Sequence, residues 1–104
     1  MIKVWGRTSS LNVQKVMWLI GELDLPHERV DIGGPFGGNK GPAYLVLNPN
    51  GLIPTIEDDG LVLWESNTIL RYLAERHGRF QPADLRGRAI MSQWMDWLLT
   101  VYNP

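Results

Sequence analysis

Apolar residues recur at Val13, Val16, Met17 and Ile20, the i, i+3, i+4, i+7 spacing of one helix face. Ser9 and Ser10 stand ahead of that stripe and Leu25-Pro26 follows it, so the pattern predicts a helix running to about Leu23. Leu11 and Trp18 fall nearly opposite the stripe. A helix with apolar residues on two faces is usually sandwiched, here between a sheet and a second domain. Ile2 to Trp5 is a short β-prone segment closed by Gly6, and His27 to Ile32 is a second strand candidate. The opening of the chain therefore reads strand–helix–strand.

Gly33 to Gly41 holds five glycines in nine residues and is expected to be a mobile loop. Its spacing matches neither a dinucleotide fingerprint nor a P-loop, and no Ser or Thr follows Lys40. Pro42 to Leu47 is long enough for one helical turn. Further on, Thr55-Ile56-Glu57 and Leu61-Val62-Leu63-Trp64 flank Asp58-Asp59-Gly60, an Asp-Gly hairpin signal. Ser66 is placed as the N-cap of another helix, with Ile69, Leu70 and Leu73 as its stripe and Gly78 as its end. The order is β-α-β, a short helix, then β-β-α: a parallel crossover followed by an antiparallel hairpin and a closing helix. Stacked together these predict an α/β fold with a four-stranded mixed sheet, a thioredoxin-like β-α-β-α-β-β-α domain. Arg79 to Ala83 then reads as a linker containing Pro82, and Leu85 to Tyr102 as a helix that is apolar in 11 of 18 positions. Such a helix belongs inside something larger, either the rest of a helical domain or another subunit.

Composition narrows the function classes. At 104 residues the chain is one domain's worth, with 44% hydrophobic and 20% charged residues. A net charge of −1 disfavours a nucleic-acid partner. The absence of cysteine excludes disulfide staples, thiolate metal sites and catalysis by a protein thiol. The start shows neither a signal-peptide core nor a long apolar run, so a cytoplasmic location and no membrane partner are expected. His27 and His77 lie far apart with no carboxylate cluster at metal spacing, so no metal is expected.

The stretch with most chemistry in it is Asn48-Pro49-Asn50-Gly51-Leu52-Ile53-Pro54-Thr55, followed by Glu65-Ser66. Asn-Pro and Asn-Gly mark an irregular turn. Pro54 has no N–H and must begin or edge the strand after it. X-Pro bonds prefer trans by only about 0.5–1 kcal/mol; a cis Pro54 would turn the N–H and C=O of Ile53 outward, a binding edge made of main chain for an extended peptide.

This run, the Glu65-Ser66 pair and the serine-rich entry to the first helix together resemble the amino-terminal half of the cytosolic glutathione transferases. The resemblance covers about residues 2–78, plus 84–102 as the first helix of that family's all-helical second domain. It implies a glutathione-binding unit over 1–78, a linker over 79–84, and over 85–104 one helix of an otherwise missing all-α domain. It further implies that Ile53, beside Leu52 and Pro54, pairs with the cysteinyl part of glutathione, while Glu65 meets the γ-glutamyl ammonium and Ser66 its carboxylate. Serine-type members donate a hydroxyl to the glutathione sulfur from just before the first helix. Ser10 and Ser9 compete for that slot; aligning on Asn12, Lys15 and Val16 favours Ser10, with Asn12 as a second donor. Lys40 is the weaker candidate, for the glycyl carboxylate. The implied activity is a glutathione transferase working on a small electrophile as a homodimer, in a detoxification role. Glutathione-dependent disulfide reduction, or a non-enzymatic glutathione-binding module, are the alternatives.

Overall fold

In a computed structural model describing residues 1–102, strand β1 (Ile2–Trp5) lies at the centre of the chain's packing. It pairs in parallel with β2 (His27–Val30) on one side and antiparallel with β3 (Thr55–Asp58) on the other. Strand β4 (Leu61–Trp64) pairs antiparallel with β3, giving a four-stranded mixed sheet of order β2-β1-β3-β4. Asp59 and Gly60 turn that hairpin with φ of 53° and 86°. Two consecutive positive φ values are what the type I′ turn between twisted strands requires, hence the Asp-Gly pair.

Period-two alternation along β1 sends Ile2 and Val4 to one face of the sheet. Helix α1 (Leu11–Glu22) answers with Val13, Val16, Leu19 and Ile20, and helix α3 (Ser66–His77) with Ile69, Leu73 and Ala74. Together with Ile56 these side chains form the core. Gly6 is where α1 comes closest to the end of β1: a Cβ there would meet Val13 Cγ2 at 2.4 Å. Helix α2 (Pro42–Leu47) covers the opposite face, where Trp5, Ala43, Tyr44 and Leu47 line a shallow pocket.

Several expectations need correcting. β2 stops at Val30, although Gly6 and Arg7 continue the pairing by donating to the carbonyls of Val30 and Ile32. The glycine segment is organised, with a 3₁₀ turn over Gly34–Phe36 and a 2.8 Å bond from Gly33 N–H to the Gly37 carbonyl. Ser66 is not an N-cap. Glu65 holds that position without a side-chain cap, and Ser66 is the first helical residue. The last helix, α4 (Leu85–Trp97), is capped by Asp84 and widens into a π turn over Leu98–Tyr102 instead of continuing as α-helix. Residues 103–104, part of the expected 85–104 unit, lie outside the described residues. Among the described residues no helix is long and apolar enough to cross a membrane.

At the far edge of the core, Arg76 and Tyr72 from α3 both donate to Asp58 at the end of β3, Tyr72 at 2.7 Å. Burial pushes the Asp58 carboxyl up, but the bonds from Arg76 and Tyr72, with the Arg76 charge, outweigh it and hold the carboxyl below its ordinary value. A group that binds its proton less readily folded than unfolded stabilises the fold above its unfolded pKa, and that support is lost as pH falls through the folded value. Asp58→Asn should therefore lower the thermal midpoint at neutral pH, and the gap to wild type should close on acidification. A pH series of melts reads this; a gap of constant size contradicts it.

Candidate functional site

The turn after α2 is held by a buried polar cluster. Tyr44 lies in α2 and Asn48 is the extended residue that ends it, and both side chains reach the same carbonyl. The Tyr44 hydroxyl donates to the Leu52 carbonyl at 2.5 Å, and the Asn48 amide donates to the same oxygen at 3.0 Å. Tyr44 has one proton, so Thr55 must be the donor in the 2.6 Å bond between their hydroxyls. Thr55 Oγ1 in turn faces the Asn48 amide nitrogen at 3.3 Å. Asn48 Oδ1 accepts from the Asn50 backbone and side chain, each at 3.0 Å. Burial pushes the Tyr44 phenol up, against hydrogen bonds from Thr55 and Asn48, so it remains a donor at neutral pH.

This cluster fixes the Leu52–Ile53 peptide plane. Ile53–Pro54 is the cis bond among the described residues, so Leu52–Ile53 is trans. In a planar trans peptide the C=O and the next N–H point in opposite directions. Because the Leu52 carbonyl is drawn inward by two donors, the Ile53 N–H faces outward, and it has no hydrogen-bond partner among the described residues.

Beside that N–H lies a cleft of about 70 Å³ lined by Asn12, Asn48, Asn50, Leu52, Ile53, Pro54 and the Trp64-Glu65-Ser66 corner. Leu99 from the π turn closes one side. Glu65 sits at φ 77°, a left-handed conformation that costs a non-glycine residue about 1–3 kcal/mol and recurs at functional sites. Ser66 is buried, with its hydroxyl 3.4 Å from Asn12 Oδ1. The Lys15 ammonium donates to Ser66 Oγ at 3.0 Å and to Asn67 Oδ1 at 2.8 Å. Partial burial pushes that ammonium down while the Glu65 charge pushes it back.

The expected site residues thus divide. Asn12, Leu52, Ile53, Pro54, Glu65 and Ser66 converge on the cleft. Ser10 caps α1, accepting from Val13 N–H at 3.5 Å, and is not among the cleft-lining residues; Ser9 is exposed and is not among them either. Lys40 is tied by its ammonium to the Asn50 carbonyl at 3.3 Å, and its neighbour Asn39 donates to the Gly51 carbonyl at 2.8 Å. The glycine loop is docked on the turn by these bonds. Gly51, at φ 64°, is required there: a Cβ would stand 2.9 Å from both the Asn39 carbonyl and Lys40 Nζ. Tyr44 and Lys15 are absent from the expected site, and Asn48 and Thr55, the ends of the turn run, have no side-chain role in that expectation. The four-residue spacing of Tyr44 and Asn48, and a lone lysine between Leu11 and Trp18, were the available signals. Among the described residues no group of three or more His, Asp or Glu could hold a metal ion.

The family model for the glutathione S-transferase N-terminal domain matches residues 9–76. The chain belongs to the glutathione S-transferase family. It is 46% identical over 101 residues to glutathione S-transferase GstB of Escherichia coli K12, covering 93% of this chain and 49% of that protein. Among solved structures, it is similar to a theta class glutathione S-transferase from the citrus canker pathogen Xanthomonas axonopodis pv. citri, which has glutathione bound. That likeness has a TM-score of 0.93 and 45% identity, over 97% of this chain and 49% of the other. The epsilon-class enzyme of the housefly, Musca domestica, gives a TM-score of 0.90 at 29% identity, over 97% and 48%. The chain spans about half the length of these relatives. Its sheet and helices form the thioredoxin-like N-terminal domain of the transferases.

Removing a donor from a buried acceptor costs about 1–3 kcal/mol. Tyr44→Phe strips the Leu52 carbonyl of one donor and the Thr55 hydroxyl of its acceptor, so it should lower stability by that order. Val46→Ala, on an exposed position of the same helix, should stay within about 0.5 kcal/mol. Urea denaturation of both variants checks this; equal losses contradict the cluster's role.

Proposed function

We propose that this chain is the glutathione-binding half of a glutathione transferase, and that the cleft beside Ile53 takes the tripeptide. The observation that carries the reading is the outward, unpartnered Ile53 N–H beside a cleft lined by Glu65 and Ser66. The main chain of Ile53, framed by Leu52 and Pro54, pairs with the cysteinyl residue. Glu65 takes the γ-glutamyl ammonium, and Ser66, as the first residue of α3, takes the carboxylate where helix N–H groups attract anions. Lys40, whose ammonium is bonded to the carbonyl of the cleft-lining Asn50, meets the glycyl carboxylate. The glutathione-bound structure of the Xanthomonas relative supports the ligand's identity.

Ser10 donates its hydroxyl to the sulfur, with Asn12 as a second donor and the α1 N-terminus adding its dipole. A free thiol ionises at pKa about 8.5, and helix N-termini lower that value. The thiolate then attacks an electrophilic carbon: a C–S bond forms and the leaving group departs with its electron pair. On this reading the protein is cytoplasmic, where reduced glutathione is held, and acts in detoxification.

Ser10→Ala should raise the pKa of bound glutathione, read from the ultraviolet thiolate band across pH, while Ser9→Ala leaves it unchanged. The reverse result moves the role to Ser9. No shift in either removes serine activation from the mechanism. The chain is also proposed to form a homodimer, since Ile90, Trp94, Trp97, Val101 and Tyr102 leave a largely apolar exposed surface on α4 and its π turn. Light scattering should find twice the chain mass; a monomer at high concentration opposes this.

A further inference from the structure

Lys15 lies on α1, yet its ammonium is spent inside the molecule, on Ser66 Oγ at 3.0 Å and Asn67 Oδ1 at 2.8 Å. An ammonium can only donate. It therefore occupies an acceptor site on the Ser66 oxygen and leaves the hydroxyl proton to point elsewhere. The direction available is the cleft side, where the hydroxyl donates weakly to Asn12 Oδ1, its oxygen 3.4 Å away. A contact that long is weakly held, and an anion arriving in the cleft would displace it. Asn67 fixes the ammonium from the other side and is itself anchored, its amide donating to the Met95 carbonyl of α4 at 2.9 Å. Lys15, Ser66, Asn67 and α4 thus form one chain of hydrogen bonds running from the cleft to the last helix. The ammonium also supplies a positive charge behind the hydroxyl, partly balanced by Glu65.

We propose that Lys15 is the positioning residue of the γ-glutamyl carboxylate subsite, holding the Ser66 hydroxyl as a donor aimed into the cleft and placing its own charge behind it. This rests on the reading of the cleft as a glutathione site. Lys15 is bonded to Ser66 and is not among the residues lining the cleft, so it acts on the carboxylate through that hydroxyl. Lys15 donates to the Ser66 oxygen and polarises the hydroxyl, and bonds linked in a chain strengthen one another, so removing the ammonium weakens the grip on this one group and not on the rest of the tripeptide.

The test is calorimetric titration of the full chain with glutathione and with 4-aminobutyryl-cysteinyl-glycine, which is glutathione without the γ-glutamyl carboxylate. Wild type should prefer glutathione. Lys15→Met should lose about tenfold in glutathione affinity, the equivalent of about 1.4 kcal/mol, and change little toward the truncated tripeptide. Lys15→Arg, which keeps the charge, should restore most of the preference. Lys15→Gln serves where the Met variant fails to fold by its melting curve, with the same selective loss expected. An equal loss on both tripeptides, or full glutathione affinity in Lys15→Met, overturns the positioning role while leaving the cleft assignment standing. Wild type that binds neither tripeptide overturns the cleft assignment and this proposal with it.

Discussion

One peptide plane governs the geometry of the cleft. The Leu52 carbonyl is held inward by the Tyr44 hydroxyl and the Asn48 amide, which obliges the Ile53 N–H to face the other way. Buried polar groups persist where each is satisfied, and here Tyr44, Asn48 and Thr55 satisfy one another, with Tyr44 and Asn48 sharing the Leu52 oxygen and the exposed Asn50 donating to Asn48. The corner is rigid because its inner side is saturated. Its outer side is left with an unused donor, the condition under which main chain serves as a recognition surface.

The rest of the fold brings two helix starts to that corner. β1 sets the end of the sheet, Gly6 lets α1 pack closely against it, and α1 delivers Asn12 and Lys15. The β3–β4 hairpin leads into Glu65, whose left-handed backbone turns the chain so that α3 begins with Ser66 in the cleft. The Lys15 bonds to Ser66 and Asn67 then tie the two helices together beside the site. The Asp58 cluster does the equivalent for α3 and β3 at the opposite edge. Core packing thus supplies the frame, and a small number of buried polar bonds sets the angles within it.

The sheet and its helices were legible because each obeys a local rule. The apolar stripe of α1, the Asp59-Gly60 turn and Gly78 at the end of α3 need no tertiary information. The convergence of Ile53, Glu65 and Ser66 is what the resemblance to the glutathione transferases implies. What could not be read locally depended on long-range partners. Tyr44 and Asn48 look like ordinary residues of a short helix until the Leu52 carbonyl is folded back on them. The cis Ile53–Pro54 bond is as the X-Pro corner suggests, but a cluster reaching from residue 44 to residue 55 also fixes the plane of the peptide before it. Ser66 looked like a cap because serine before an apolar run usually is one; Lys15, 51 residues away, claims its oxygen instead. The glycine segment looked slack because glycine count ignores the bonds of Asn39 and Lys40 to the turn. Continuous helical periodicity likewise gave no sign that α4 would widen at Leu98.

The most direct test of the central claim is a crystal structure of the chain soaked with glutathione, read at one atom. The account predicts the Ile53 backbone nitrogen within hydrogen-bond distance of the cysteinyl carbonyl, with the Leu52 carbonyl still on Tyr44 and Asn48. Glutathione bound elsewhere, or bound in the cleft with Ile53 N–H unpaired, would contradict it.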